Sequence, residues 1–259
     1  MPDSTVLLRP LQWLTLAAYL GLLLKIYFEP ALHRYRYFAI YLAVMAVRGM
    51  LTLLIPERTT LYGVVYVVSA PIVWICYLLV VIEMYSHVLE GYKGIATFGR
   101  YTLAAALGFS VVLAGSTLIF DLSSQNEEFP ILLTVFAAER WVISSLVVLL
   151  LSITVFMIWF PVPLRKNIVV HSLVFFLYFI SKALALFFRN TMGPTAINLV
   201  NLAVMCTAAA CLIIWIFCLN REGERQEVKH RVQWDPESEK RLLHQLDSIN
   251  ASLMRSARK

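Results

Sequence analysis

Apolar positions along the 259 residues gather into seven long runs, at about 11–28, 37–55, 60–88, 98–120, 130–160, 168–188 and 194–219. A helix needs roughly 20 apolar residues to cross the hydrocarbon core of a bilayer, so the pattern predicts an all-α bundle of about seven transmembrane helices. Polar and helix-breaking residues punctuate the runs: Glu29-Pro30, Pro56-Glu57-Arg58, Gly91 to Gly94, Asp121 to Phe129, Pro161-Val162-Pro163 and Gly193-Pro194. The third and fifth runs exceed the minimum and are expected to tilt or to project beyond the membrane. No internal repeat is visible, which weighs against a transporter built from inverted repeats.

After the last run the pattern changes twice. Residues 220–234 are charged and aperiodic and predict a flexible link, so the chain divides into 1–219, 220–234 and 235–259. Asp235-Pro236 then reads as an N-cap followed by proline at the first helical position. Leu242, Leu246, Ile249 and Leu253 fall on one stripe, with Leu243 beside it and Glu239, Lys240, Arg241 and Asp247 around it. A helix of about five turns is marginal alone in water and needs a surface to lie on. Three surfaces compete for the helix 236–256: the inner leaflet of the lipid bilayer, a second copy of the chain in a homo-oligomer, and a separate cytoplasmic partner. The basic end Arg255, Arg258 and Lys259 favours an anionic membrane surface.

Composition supports the membrane reading. The chain is 60% apolar and 15% charged, with a mean hydropathy of +0.74. A soluble domain carries roughly 25% charged residues. The net charge of +6 is placed unevenly. Arg34, Arg36, Lys93, Arg100, Arg165 and Lys166 lie in the first, third and fifth connectors, and the tail holds nine more basic residues. Only Arg9, Arg58 and Arg189 lie on the other side, beside Asp121, Glu127 and Glu128. The positive-inside rule then puts the tail in the cytoplasm and, with an odd number of spans, the N-terminus outside, as for a multi-pass protein of the inner cell membrane. No basic segment with interleaved aromatics stands clear of the runs, so nucleic acid is not an expected partner.

Cys76, Cys206, Cys211 and Cys218 all fall inside apolar runs and read as small buried hydrophobes, with no extracellular disulfide framework. Asp3 near the start and the lack of a basic n-region make the first run a retained span rather than a cleaved signal.

Charges within spans are expensive and usually face the bundle interior. Lys25 is near a cytoplasmic helix end and is expected to snorkel. Arg48, Glu139, Arg140 and Lys182 instead lie roughly 9–15 Å below the outer boundary at about 1.5 Å per residue. Tyr66, Ser69, Asn198 and Asn201 fall near the same layer. Two readings follow: an ion-pair network that fixes helix packing, or an outward-facing ligand-binding pocket in which surplus positive charge replaces the hydration of a small anion. Glu139 and Arg140 are adjacent, about 100° apart around one helix, and cannot both point to one spot.

A second polar group gathers at the cytoplasmic end. Glu83, His87 and Glu90 share one helical face, and His171 falls at a similar depth, with Glu29 and His33 bordering the first connector. Histidines and carboxylates from several segments are weak candidates for a metal site, and no cofactor is expected. The nearest analogy is to seven-span zinc hydrolases of the adiponectin-receptor and alkaline-ceramidase type, but the histidine pair of their last span is missing here. The seventh run also has no lysine, which a retinal protein requires. The third run ends Glu83-Met84-Tyr85-Ser86-His87, not in the Asp-Arg-Tyr of the eukaryotic receptors. Walker, HExxH and GxSxG motifs are absent.

The stretches Glu83-Met-Tyr-Ser-His-Val-Leu-Glu-Gly-Tyr-Lys-Gly-Ile-Ala-Thr-Phe-Gly-Arg100 and Pro161-Val-Pro-Leu-Arg-Lys-Asn-Ile-Val-Val-His171, with the Arg241–Arg258 tail, resemble a family of uncharacterised seven-span integral membrane proteins of soil bacteria, chiefly Acidobacteria. The resemblance implies no activity. More loosely, the plan is similar to seven-span sensor regions of bacterial histidine kinases, without the kinase. The sequence thus leads to the expectation of a non-enzymatic membrane protein of sensor or signalling type. A small-solute transporter is the first alternative, and a metal-dependent membrane hydrolase the second.

Overall fold

A computed structural model describes residues 3–56, 59–90, 130–159, 164–192, 197–228 and 236–256. Their architecture is helical: α1 (Asp3–Phe28), α2 (Arg36–Leu54), α3 (Thr60–Val88), α4 (Pro130–Trp159), α5 (Lys166–Met192), α6 (Ile197–Cys218), α7 (Arg221–Arg225) and α8 (Pro236–Ser256). A 3-10 turn at Pro30–Leu32 joins α1 to α2, and the two-residue strands β1 (Leu164–Arg165) and β2 (Glu227–Val228) pair antiparallel. Six of the seven predicted runs correspond to α1 to α6, and the fourth, 98–120, lies outside the described residues.

Five helices are long and apolar enough to cross a membrane: Leu8–Phe28, Arg36–Leu54, Thr60–Val88, Lys166–Ala185 and Leu199–Cys218. The chain is therefore a membrane protein. In α4 the described apolar stretch is shorter, Trp141–Val155. Side chains sort by face as lipid demands. Val47, Leu54, Leu61, Val68, Val148, Leu199 and Phe217 are exposed on the outside of the bundle. Bulky apolar groups on the outer face of a helix are stable where the surrounding solvent is itself apolar.

Among the described residues, each long helix packs against the next described one, and α1 packs against α6. Aromatic side chains fill the centre. Phe38 and Tyr41 of α2, Tyr77 of α3, Phe175, Tyr178 and Phe179 of α5 and Trp215 of α6 are all nearly inaccessible. Their rings meet mostly edge to face, as at Phe38 and Trp215, 4.9 Å apart, the arrangement their quadrupoles favour.

Helix ends are held by residues from elsewhere. The first four amides of a helix have no partner within it. At α2 the adjacent Tyr35 supplies no side-chain cap, and Glu83 of α3 accepts from Tyr37 N at 3.0 Å and Phe38 N at 3.1 Å instead. At the other polarity, Lys25 of α1 donates to the Ile216 carbonyl in the last turn of α6 at 2.6 Å. Lys25 was expected to snorkel; a free carbonyl beside the negative end of a helix dipole is the stronger attraction.

The predicted flexible link is a correction over residues 221–228. Asn220 caps α7 by accepting from Gly223 N at 2.7 Å, and β2 then pairs with β1, with Leu164 opposite Val228. Gly223 is buried against the Asn167 side chain so closely that a Cβ there would overlap it. Periodicity cannot detect a five-residue helix followed by a two-residue strand, because neither completes enough repeats. The tail helix α8 forms as expected, but the expected external surface is partly replaced. Leu246, the middle of its apolar stripe, is 2% exposed and belongs to the protein's own buried cluster, while Ile249 and Met254 stay exposed. Among the cysteines, Cys76 and Cys211 are buried as expected, whereas Cys206 is exposed on α6.

Candidate functional site

The polar layer around Glu139 is assembled from four helices. Glu139 of α4 is buried, and both of its oxygens are used. Lys182 Nζ of α5 lies 3.3 Å from Oε1, and Tyr66 OH of α3 donates to Oε2 at 2.9 Å. Lys182 also donates to Tyr77 OH at 3.1 Å, and Tyr77 shares a 3.0 Å hydrogen bond with Tyr178 OH. The guanidinium of Arg48 on α2 stands over the Tyr66 ring, 4.7 Å from its centroid. Lys182 and Glu139 are largely buried, with the half-buried Arg48 beside them, and Coulomb interactions in such a setting are much stronger than at a surface. Lys182 answers the Glu139 charge. Arg48 makes no ion pair among the described residues; its guanidinium lies over the Tyr66 ring and its charge acts on Glu139 at longer range.

Sequence reasoning found Arg48, Tyr66, Glu139 and Lys182, and the structure brings these four together. Two candidates at the right depth are corrected. Ser69 turns its hydroxyl back to the Tyr66 carbonyl of its own helix, at 3.2 Å, so it presents no free donor to the layer. Asn201 is exposed on the outward face of α6. The side chains of Arg140 and Asn198 lie outside the described residues. Tyr77 and Tyr178 were missed, although a signal existed: Tyr178 precedes Lys182 by four residues, on the same helical face.

The weak metal candidates Glu83, His87, Glu90 and His171 do not converge. Glu83 spends its carboxylate on the α2 amides. Arg34 donates to His87 Nδ1 at 3.1 Å and pairs with Glu90, placing a guanidinium where a cation would have to sit. His171, 1% exposed, is enclosed by Tyr35, Phe38, Phe175 and Trp215. Among the described residues no group of three His, Cys, Asp or Glu is placed to hold a metal ion. His33 instead meets the Tyr27 carbonyl at 3.0 Å.

What the opposite end of the bundle does contain is a clasp. Glu224 of α7 accepts from Tyr35 OH at 2.5 Å, from Arg165 at 3.0 Å and from Asn167 at 3.1 Å. Asn167 Nδ2 also donates to the Asn220 carbonyl at 2.8 Å. Burial pushes the Glu224 carboxyl up, but these hydrogen bonds and the Arg165 charge outweigh it and hold its pKa below the usual carboxylate range. Tyr35 is pushed up by burial and by its carboxylate partner. The clasp ties residues 220–228, and so the start of the tail, to the ends of α2 and α5. Comparison with protein-family models, curated proteins and solved structures finds no match for this chain.

Proposed function

We propose that this membrane protein is a non-enzymatic sensor or signalling-type module of the inner cell membrane that crosses the bilayer seven times, with its N-terminus outside. On this reading a small anion enters the outer layer, is held by Arg48 with Lys182, and biases how α2 to α5 pack. The clasp at Glu224 passes that bias to the tail, where α8 offers its exposed Ile249 and Met254 edge to the inner leaflet or to a cytoplasmic partner. The observation that carries the reading is the charge arrangement: Glu139 is fully engaged by Lys182 and Tyr66, while Arg48 stands beside them with no ion pair among the described residues. Exposed Tyr27, Phe28 and Tyr37, around the α1–α2 connection, support a membrane boundary at that end as interfacial aromatics, while the orientation rests on the uneven placement of Lys and Arg.

The test is the melting temperature of purified protein in nanodiscs across chloride, nitrate, phosphate and small carboxylates. At least one anion is expected to stabilise the wild type, and Arg48→Ala and Lys182→Ala each to lose that shift. A wild-type-like response in both variants removes the reading. A transporter, the alternative, moves the stabilising anion in proteoliposomes. A sensor instead changes the protease accessibility of the tail and moves no anion.

A further inference from the structure

The polar side chains of α5 form a line through the bundle. Asn167, His171, Tyr178 and Lys182 are separated by four, seven and four residues, and all face inward. Asn167, His171 and Tyr178 are at most 3% exposed, and the Lys182 side chain is 17% exposed. At about 1.5 Å per residue the line covers roughly 22 Å of membrane depth. It is continued at both ends. Outward, Lys182 meets Glu139, and Glu139 meets Tyr66. Inward, Asn167 and Tyr35 both donate to Glu224, and the Tyr35 ring lies 5.5 Å from the His87 ring and 5.2 Å from that of His171.

The line has one interruption. Between His171 and the Tyr77–Tyr178 pair stand Phe38 and Phe175, whose ring centroids are 4.5 Å and 4.9 Å from that of His171. Beside this apolar step, both ring nitrogens of His171 are buried without a hydrogen-bond partner among the described residues, as are His87 Nε2, Ser172 Oγ and Trp215 Nε1. Buried polar atoms in this condition draw water, and five of them near one plug make a place where water chains can form.

We propose that this line is a proton path across the membrane, gated by the Phe38–Phe175 pair. A proton from the outer side reaches Glu139. Lys182 passes one proton to the Tyr77 oxygen as Glu139 returns one to Lys182. The Tyr77 hydroxyl proton moves to Tyr178, whose own proton crosses the ring pair on water to His171. His171 releases a proton from its other nitrogen through water past Tyr35 toward Glu224. After side-chain reorientation each group regains its starting protonation state. One proton enters, one leaves, and nothing is oxidised or reduced. Among the described residues, the ionisable groups packed around this line are Tyr19 of α1, Arg34 and Tyr35 before α2, Tyr41 and Arg48 of α2, Tyr66, Tyr77, Glu83 and His87 of α3, Glu139 of α4, Arg165 of β1 and Glu224 of α7, with the uncharged Trp215 on α6. The proposal goes beyond anion sensing, because neither His171 nor Phe175 touches the Arg48 layer.

The test is acidification of proteoliposomes containing a trapped pH dye, driven by a potassium diffusion potential with valinomycin. Wild-type protein is expected to acidify vesicles faster than empty ones. His171→Phe keeps a ring in the cage and Tyr178→Phe removes one oxygen, so both retain the packing. Each is expected to slow the flux about a hundredfold, the scale of losing a positioned proton donor or acceptor. Phe175→Ala is expected to speed it, and adding His171→Phe to that variant to return it to the level of empty vesicles. If Phe175→Ala does not fold, Phe175→Leu replaces it. The proposal is overturned if neither wild type nor the opened variant exceeds empty vesicles, or if the flux of either is unchanged by His171→Phe. Anion-dependent melting shifts of the same variants report separately on the outer layer, so the two readings fail independently.

Discussion

Glu83 on α3 caps α2: its carboxylate accepts from the backbone amide of Phe38 at 3.1 Å and from that of Tyr37 at 3.0 Å, across 45 and 46 residues of sequence. Phe38 is fully buried, so water cannot replace the lost acceptor. Glu83→Ala is expected to destabilise the protein by about 1–2 kcal/mol, the scale of a helix N-cap, and Glu83→Gln by less because one oxygen remains. Denaturant unfolding in micelles measures both. Equal losses in the two variants would show that the cap is not what Glu83 contributes.

The Glu139–Lys182 pair is buried on both sides, with side-chain exposures of 11% and 17%. Removing one partner leaves the other charge uncompensated, so Lys182→Met is expected to cost about 3–5 kcal/mol. Lys182→Met combined with Glu139→Gln is expected to recover much of that loss. A double-mutant cycle on melting temperature reads the coupling, and additive effects would contradict a direct interaction.

Acid is expected to open the clasp at Glu224. The Glu224 pKa is lower in the folded protein than in the unfolded chain, so the stability it contributes is complete above the ordinary carboxylate value of about 4.3 and is lost as pH falls through the lowered value. A spin label at position 225 should gain mobility in that acid window. Glu224→Gln should be mobile already at neutral pH and insensitive to further acidification. A wild-type spectrum that stays constant throughout the acid window would show that the carboxylate does not hold the clasp.

Gly223 and Leu246 set how the tail is held. Gly223→Ala places a methyl group into the Asn167 side chain and is expected to cost about 1–3 kcal/mol and to expose Arg225 to trypsin. Leu246→Ala empties a buried site and is expected to cost about 2–5 kcal/mol, whereas Ile249→Ala, at an exposed position, should change little. Trypsin kinetics at Arg255 compare the two. Equal acceleration would show that α8 is not docked through Leu246.

Depth and direction separate what could be read early from what could not. Helix lengths, the charged layer and the amphipathic tail follow from the order of residues alone, because a helix rises by a constant amount per residue and apolar runs of membrane length form helices. Arg48, Tyr66, Glu139 and Lys182 were found by depth in this way. Asn201 had the right depth and points outward, and Ser69 spends its hydroxyl on its own helix. Which face of each helix meets its neighbour depends on packing between segments distant in sequence, as with Glu139 and Lys182 across 43 residues. The same holds for Glu83, which shares a face with His87 in sequence yet serves α2 in space. The sequence by itself determined a helical membrane protein and the levels at which its charges lie. Only the tertiary structure decided which side chains meet at each level, that residues 221–228 form a clasp and that Leu246 is buried, because rotation about each helix axis is set by its partners.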